Sequence, residues 1–90
     1  MSWAQEQRRE PRLLCHGEVR LTYNDGAAHE VVGKMLDVSN SGFRAVHGDL
    51  SLQRGTEVEF NHPIFRGKAR VAWTRSVYER VESGFSVVRD

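Results

Sequence analysis

A chain of 90 residues with 39% hydrophobic and 28% charged side chains holds one small soluble domain and is no disordered chain. Its formal net charge of +1 excludes a protein that grips long nucleic acid through its overall field, so any anion site must be local. No apolar run approaches the roughly 20 residues of a membrane helix, the opening segment lacks the apolar stretch of a secretory leader, and Cys15 has no partner cysteine; together these predict a cytoplasmic address without membrane insertion.

Residues 1–12 are polar and charged, with Trp3 as the only large apolar side chain, and show neither helical nor strand periodicity. They read as a flexible arm joined to a folded domain over residues 13–90. The arm carries Arg8-Arg9-Glu10-Pro11-Arg12, an R-x-x-x-R spacing at Arg8 and Arg12. Pro11 disfavours helical geometry at Glu10, which leaves a bent segment whose guanidinium groups can converge on one ligand. The planar fork of arginine makes paired bonds to phosphate oxygens or to O6 and N7 of guanine, which lysine does not. Taken alone the spacing is weak, since most arginine-rich termini are simply solvated charge.

From Leu13 the pattern changes. Leu13, Cys15, Gly17, Val19, Leu21 and Tyr23 alternate with His16, Glu18, Arg20 and Thr22, which predicts a strand with one buried face. Asn24-Asp25-Gly26 is a hairpin signal, and a second strand follows from about His29 to Asp37 with Val31, Gly33 and Met35 on one face. A short third strand covers Phe43–Val46, a fourth Thr56–Phe60, a fifth Ile64–Trp73 and a sixth Val81–Val88. On the fifth, Phe65, Gly67, Ala69, Val71 and Trp73 are expected inward, with Arg66, Lys68 and Arg70 outward. Six short strands separated by turn signals predict an all-β fold, and hiding the sheet edges predicts a closed antiparallel barrel. The four histidines show no metal-ligand spacing and are expected on the surface or along strands, and Cys15 is expected to pack. No cofactor or metal site is expected.

Between the second and third strands lies Asp37-Val38-Ser39-Asn40-Ser41-Gly42, a D-x-S-x-x-G pattern. Aspartate accepts from the N1–H and N2 amine of guanine, an edge that adenine does not present, and Ser39 adds a donor for a phosphate or base oxygen. Gly42 is expected to take positive φ and let a ligand approach the backbone. In isolation, an ordinary Asx turn between two strands is by a wide margin the better explanation of the segment. The combination with the upstream arginines gives the pattern its weight: arm, strand, then D-x-S-x-x-G at the end of the next strand.

That arrangement resembles the PilZ domain family of bacterial cyclic di-GMP receptors. Beyond Arg8, Arg12, Asp37, Ser39 and Gly42, the resemblance extends to Gly42-Phe43-Arg44-Ala45-Val46, Gly55 to Phe60, Ala69-Arg70-Val71-Ala72-Trp73 and Gly84-Phe85, nearly the whole chain. It implies a six-stranded Greek-key barrel, and the short tail after the last strand leads us to expect little or no C-terminal helix. It also implies a non-enzymatic receptor that binds cyclic di-GMP, orders its arm and signals to an unidentified downstream protein in motility, biofilm or exopolysaccharide control, with no DNA partner. The implied ligand contacts are Arg8, Arg12, Asp37, Ser39 and Gly42, with Arg9 as an auxiliary phosphate contact; one bound molecule and a stacked pair both stay open. Strand parity puts Trp73 in the core as an anchor, while its place at a strand end also offers a stacking surface beside the ligand. A PilZ-like interaction module without nucleotide and a small nucleic-acid-binding barrel are the alternatives.

Overall fold

The computed structural model describes residues 11–89, so Trp3, Arg8, Arg9 and most of the expected arm lie outside the described residues. Alternating side chains become strands: β1 (Leu13–Leu14), β2 (Glu18–Asn24), β3 (Ala28–Val38), β4 (Gly42–His47), β5 (Glu57–Asn61), β6 (Arg66–Val77) and β7 (Arg80–Val87). Every pairing is antiparallel, in the order β1-β3-β2-β5-β6-β7-β4. An additional β3–β4 pairing joins β2 through β7 into a closed six-stranded barrel, with β1 added along β3. No helix occurs among the described residues.

Inward positions of the strands supply one continuous core. Phe43 stands at its centre, stacked on Phe85 at 4.6 Å between ring centroids and tilted against Phe60 at 4.8 Å. Val19, Leu21, Met35, Val58 and Val71 surround them, all buried. Leu52, in a segment the sequence marks only as loop, is as deeply buried as most of the strand residues of the core and packs into the same cluster.

The first expected strand is broken. Gly17 has φ +115°, a conformation that side chains oppose, and a Cβ there would lie 2.8 Å from the His62 ring. Leu13 and Leu14 lie beyond the break and are 65% and 83% exposed, so Leu13 is not a core residue. The chain still runs beside β3, through hydrogen bonds from Cys15 N to Leu36 O at 3.1 Å and from Met35 N to Gly17 O at 2.9 Å. At the β2–β3 turn the expectation holds: Gly26 has φ +107° and its N–H donates to Asn24 Oδ1 at 3.0 Å.

Two histidines are buried: His47 ends β4, a strand position as expected, whereas His62 lies just past β5, neither on a strand nor on the surface. His47 accepts from Asp49 N at Nδ1 (3.0 Å), so Nε2 carries the proton and donates to Ser83 Oγ at 2.7 Å. Thr74 Oγ1 completes that chain at 2.5 Å from Ser83 Oγ. His62 accepts from Ile64 N at 3.2 Å and donates to the His16 carbonyl at 2.8 Å, tying the β5–β6 loop to the break before β2. Both rings are fully satisfied inside the fold, as buried polar groups must be.

Candidate functional site

Strand parity alone would turn Asp37 and Trp73 into the barrel. Two β-bulges reverse this. The β3–β4 register slips between Met35 and Asp37, and the β6–β7 register slips between Val71 and Trp73. Each extra residue shifts the following side chains to the opposite face. Asp37 therefore pairs with Arg44, Arg44 with Gly84, and Gly84 with Trp73. Residues directly opposite in antiparallel strands share a face, so these four form one outward row across β3, β4, β7 and β6.

Gly84 makes the row possible. The Trp73 indole lies against it so closely that a Cβ at Gly84 would overlap ring atoms. Trp73 is half-buried on the outer surface and is not the core anchor that parity predicts. The Arg75 guanidinium carbon sits 4.8 Å from the indole centroid, a cation–π contact. Arg75 and Arg80 both approach Glu82, at 3.7 and 3.3 Å, on the neighbouring stretch of β7.

At the other end of the row, Asp37 is only 5% exposed and both its oxygens are occupied. Arg44 donates from Nε at 2.8 Å and Nη2 at 2.5 Å to Oδ2. Arg12 donates from Nε to Oδ1 at 3.2 Å, and from Nη1 to Ser39 Oγ at 3.4 Å. Burial pushes the Asp37 carboxyl up, but the bonds and charges of Arg44 and Arg12 outweigh it and hold the group below the usual carboxylate range. The Arg44 guanidinium is pushed up in turn, chiefly by its hydrogen bond to Asp37.

Ser39 N–H donates to the Gly42 carbonyl at 2.8 Å, closing the turn between β3 and β4. Gly42 does not have the positive φ expected of it. Its glycine requirement comes from packing: a Cβ would collide with the Phe85 carbonyl oxygen on β7. Past the last strand, the Arg89 guanidinium donates to the Asn40 carbonyl and pins the following segment to the same turn.

Arg12, Gly42, Arg44, Trp73, Gly84 and Ser86 line a shallow concavity of about 250 Å³. A larger one, about 910 Å³, lies over β2, β3, β5 and β6 near Thr22, Glu30, Glu57, Glu59 and Lys68. There cross-strand pairing sets Glu57 opposite Arg70 and Glu59 opposite Lys68, so the surface is charge-matched. The smaller concavity is the better site because it brings the guanidinium groups of Arg12 and Arg44 together with an aromatic face.

Of the sequence-predicted residues, Arg12, Asp37, Ser39 and Gly42 come together, and Trp73 joins them from β6. Arg8 and Arg9 fall outside the described residues. Sequence reasoning missed Arg44 and Gly84. The only signal for Arg44 was its outward parity two residues after Gly42; its pairing with Asp37 depends on the bulge. A sequence profile of the PilZ domain matches residues 6–89. The chain belongs to the PilZ domain family. No curated protein matches it at a significant level. In this PilZ domain the second arginine of the arm and the D-x-S-x-x-G turn are in direct contact. The face carries arginine side chains suited to an oxyanion and a ring suited to stacking, while its carboxylate is held by both arginines; among the described residues no His, Cys, Asp and Glu cluster could hold a metal.

Proposed function

We propose that this PilZ domain is a cytoplasmic receptor for cyclic di-GMP, bound on the outer face of β3, β4, β7 and β6. The observation that carries the reading is the convergence of Arg12 with Asp37 and Ser39 at one end of a strand-crossing row that ends in Trp73. A cyclic dinucleotide presents two phosphates and two purines. Arg12, with Arg8 and auxiliary Arg9 from the arm, serves the phosphates and the Hoogsteen edge; Asp37 serves the Watson–Crick edge of guanine; Trp73 serves a base face. A ligand of that size lies across the face and needs no deep cavity. Ordering of the arm around it creates a surface for a downstream protein in motility, biofilm or exopolysaccharide control.

The nucleic-acid-binding alternative has less support. Arg66, Lys68 and Arg70 do project along β6, but they face Asn61, Glu59 and Glu57 across the sheet, so much of that charge is already matched.

Arg12→Ala removes both the grip on phosphate and one partner of Asp37. The expected result in isothermal titration calorimetry is loss of cyclic di-GMP binding by at least about 10-fold, since a charged hydrogen bond contributes roughly 1.5–3 kcal/mol. The far-UV circular dichroism spectrum should stay that of the wild type. Unchanged affinity in a folded variant, or equal affinity of the wild type for cyclic di-AMP, would count decisively against the reading.

A further inference from the structure

The tightest contact at the site is made by a residue outside both sequence patterns. Arg44 directs a fork at Asp37 Oδ2, 2.8 Å from Nε and 2.5 Å from Nη2, and the β3–β4 register fixes the two residues opposite each other. Arg12 holds Oδ1 at 3.2 Å from both Nε and Nη2. The two arginines are unequal in anchorage as well as in distance. Arg44 is rooted inside β4, flanked by the buried Phe43 and Ala45, whereas Arg12 precedes β1 and has a side chain 46% exposed. With Asp37 only 5% exposed, no base can reach the carboxylate while both forks are in place.

Resting on the reading that this face binds cyclic di-GMP, we propose that Arg44 is the positioning residue of the site. It stays on Oδ2 and keeps Asp37 aimed as a guanine acceptor, while Arg12 leaves Oδ1 to make room for the base. The exchange is balanced in hydrogen bonds. The N1–H and N2 amine of guanine replace the two N–H donors of the Arg12 fork, and the freed guanidinium is available to a phosphate. It is not balanced in charge, because a cation leaves the carboxylate and a neutral base takes its place. Arg44 is then the remaining cation on a buried carboxylate. The charged groups around it are Arg12 from the segment before β1, Arg44 from β4 and, beyond Arg44, Glu82 on β7 with its own partners Arg75 and Arg80. Without Arg44, protonation of Asp37 would compete with guanine recognition as the solution is acidified.

The test is calorimetric titration of the full chain with cyclic di-GMP and cyclic di-AMP between about pH 8 and pH 5, on the wild type, Arg44→Gln and Arg44→Lys. Wild-type affinity should be flat over that range and selective for the guanine ligand. Arg44→Gln should bind about 10- to 100-fold more weakly, lose its preference over cyclic di-AMP and weaken further toward acid. Arg44→Lys keeps the charge without the fork, so its binding should stay flat with pH while its selectivity falls. Wild-type affinity, selectivity and pH profile in Arg44→Gln would overturn the assignment; if that variant does not fold, wild-type selectivity in Arg44→Lys would do so. Absence of cyclic di-GMP binding by the wild type would overturn the ligand reading and this assignment with it, an outcome distinct from failure of the variants alone.

Discussion

Two glycines show how single residues set up the candidate face. Gly84 gives the Trp73 indole a flat floor, and Gly42 lets β4 approach the Phe85 carbonyl at the point where the D-x-S-x-x-G turn begins to pair with β7. The obstacle at Gly42 is backbone, which cannot rotate away as a side chain could. Gly42→Ala is therefore expected to destabilise the fold by about 1–3 kcal/mol, the range for forced overpacking, visible as a lower urea midpoint with unchanged slope. Binding should weaken as well, because Ser39 N–H bonds the Gly42 carbonyl and moves with it. A variant as stable as the wild type would mean that the turn has room the structure does not show.

At the scale of elements, the bulges in β3 and β6 carry the functional geometry, and a polar chain at one end of the barrel carries a pH response. His47 links β4 to Ser83 on β7 and, through Asp49 N, to the loop that follows. Burial pushes the His47 imidazole below the ordinary histidine value, with the Asp49 charge opposing. The unfolded chain therefore takes up a proton that the folded chain resists. The stability this provides is complete above the unfolded value of about pH 6.5 and is lost as pH falls toward the lower folded value. Denaturant unfolding should accordingly show a slope of at most about 1.4 kcal/mol per pH unit for this one proton below that point. Asp37 and Asp49 are both shifted down, so their contributions are lost only below the ordinary carboxylate value of about pH 4, a separate window. His47→Gln should flatten the upper window alone; an unaltered slope in that variant would locate the titrating group elsewhere.

For the whole molecule, closure is what makes so small a chain self-sufficient. The β3–β4 pairing satisfies the sheet edges from β2 to β7 and encloses a single core centred on the Phe43, Phe60 and Phe85 rings. Phe43 is among the largest fully buried side chains and contacts both other rings. Phe43→Ala should cost about 3–5 kcal/mol, a large share of the roughly 5–15 kcal/mol typical of a domain. Urea unfolding is the measurement; a loss under about 1 kcal/mol, the scale of an ordinary substitution, would show that the ring cluster is not the core.

Much of this architecture was legible in local pattern. Val19 and Leu21, Val58 and Phe60, and Ala69 and Val71 fall inward as their alternation requires, because a pleated strand with one wet face admits little else. Asn24-Asp25-Gly26 announced its turn through residues suited to that backbone. What parity could not reveal were the extra residues between Met35 and Asp37 and between Val71 and Trp73, since a bulge becomes defined only against the partner strand. The outward turn of Trp73, the grip of Arg44 on Asp37 and the burial of Leu52 all follow from long-range pairing and packing. The sequence by itself determined most of the strands, the barrel and the residue types of the candidate face; the tertiary structure decided which of those residues meet, because cross-strand register is a property of two segments and is written in neither alone.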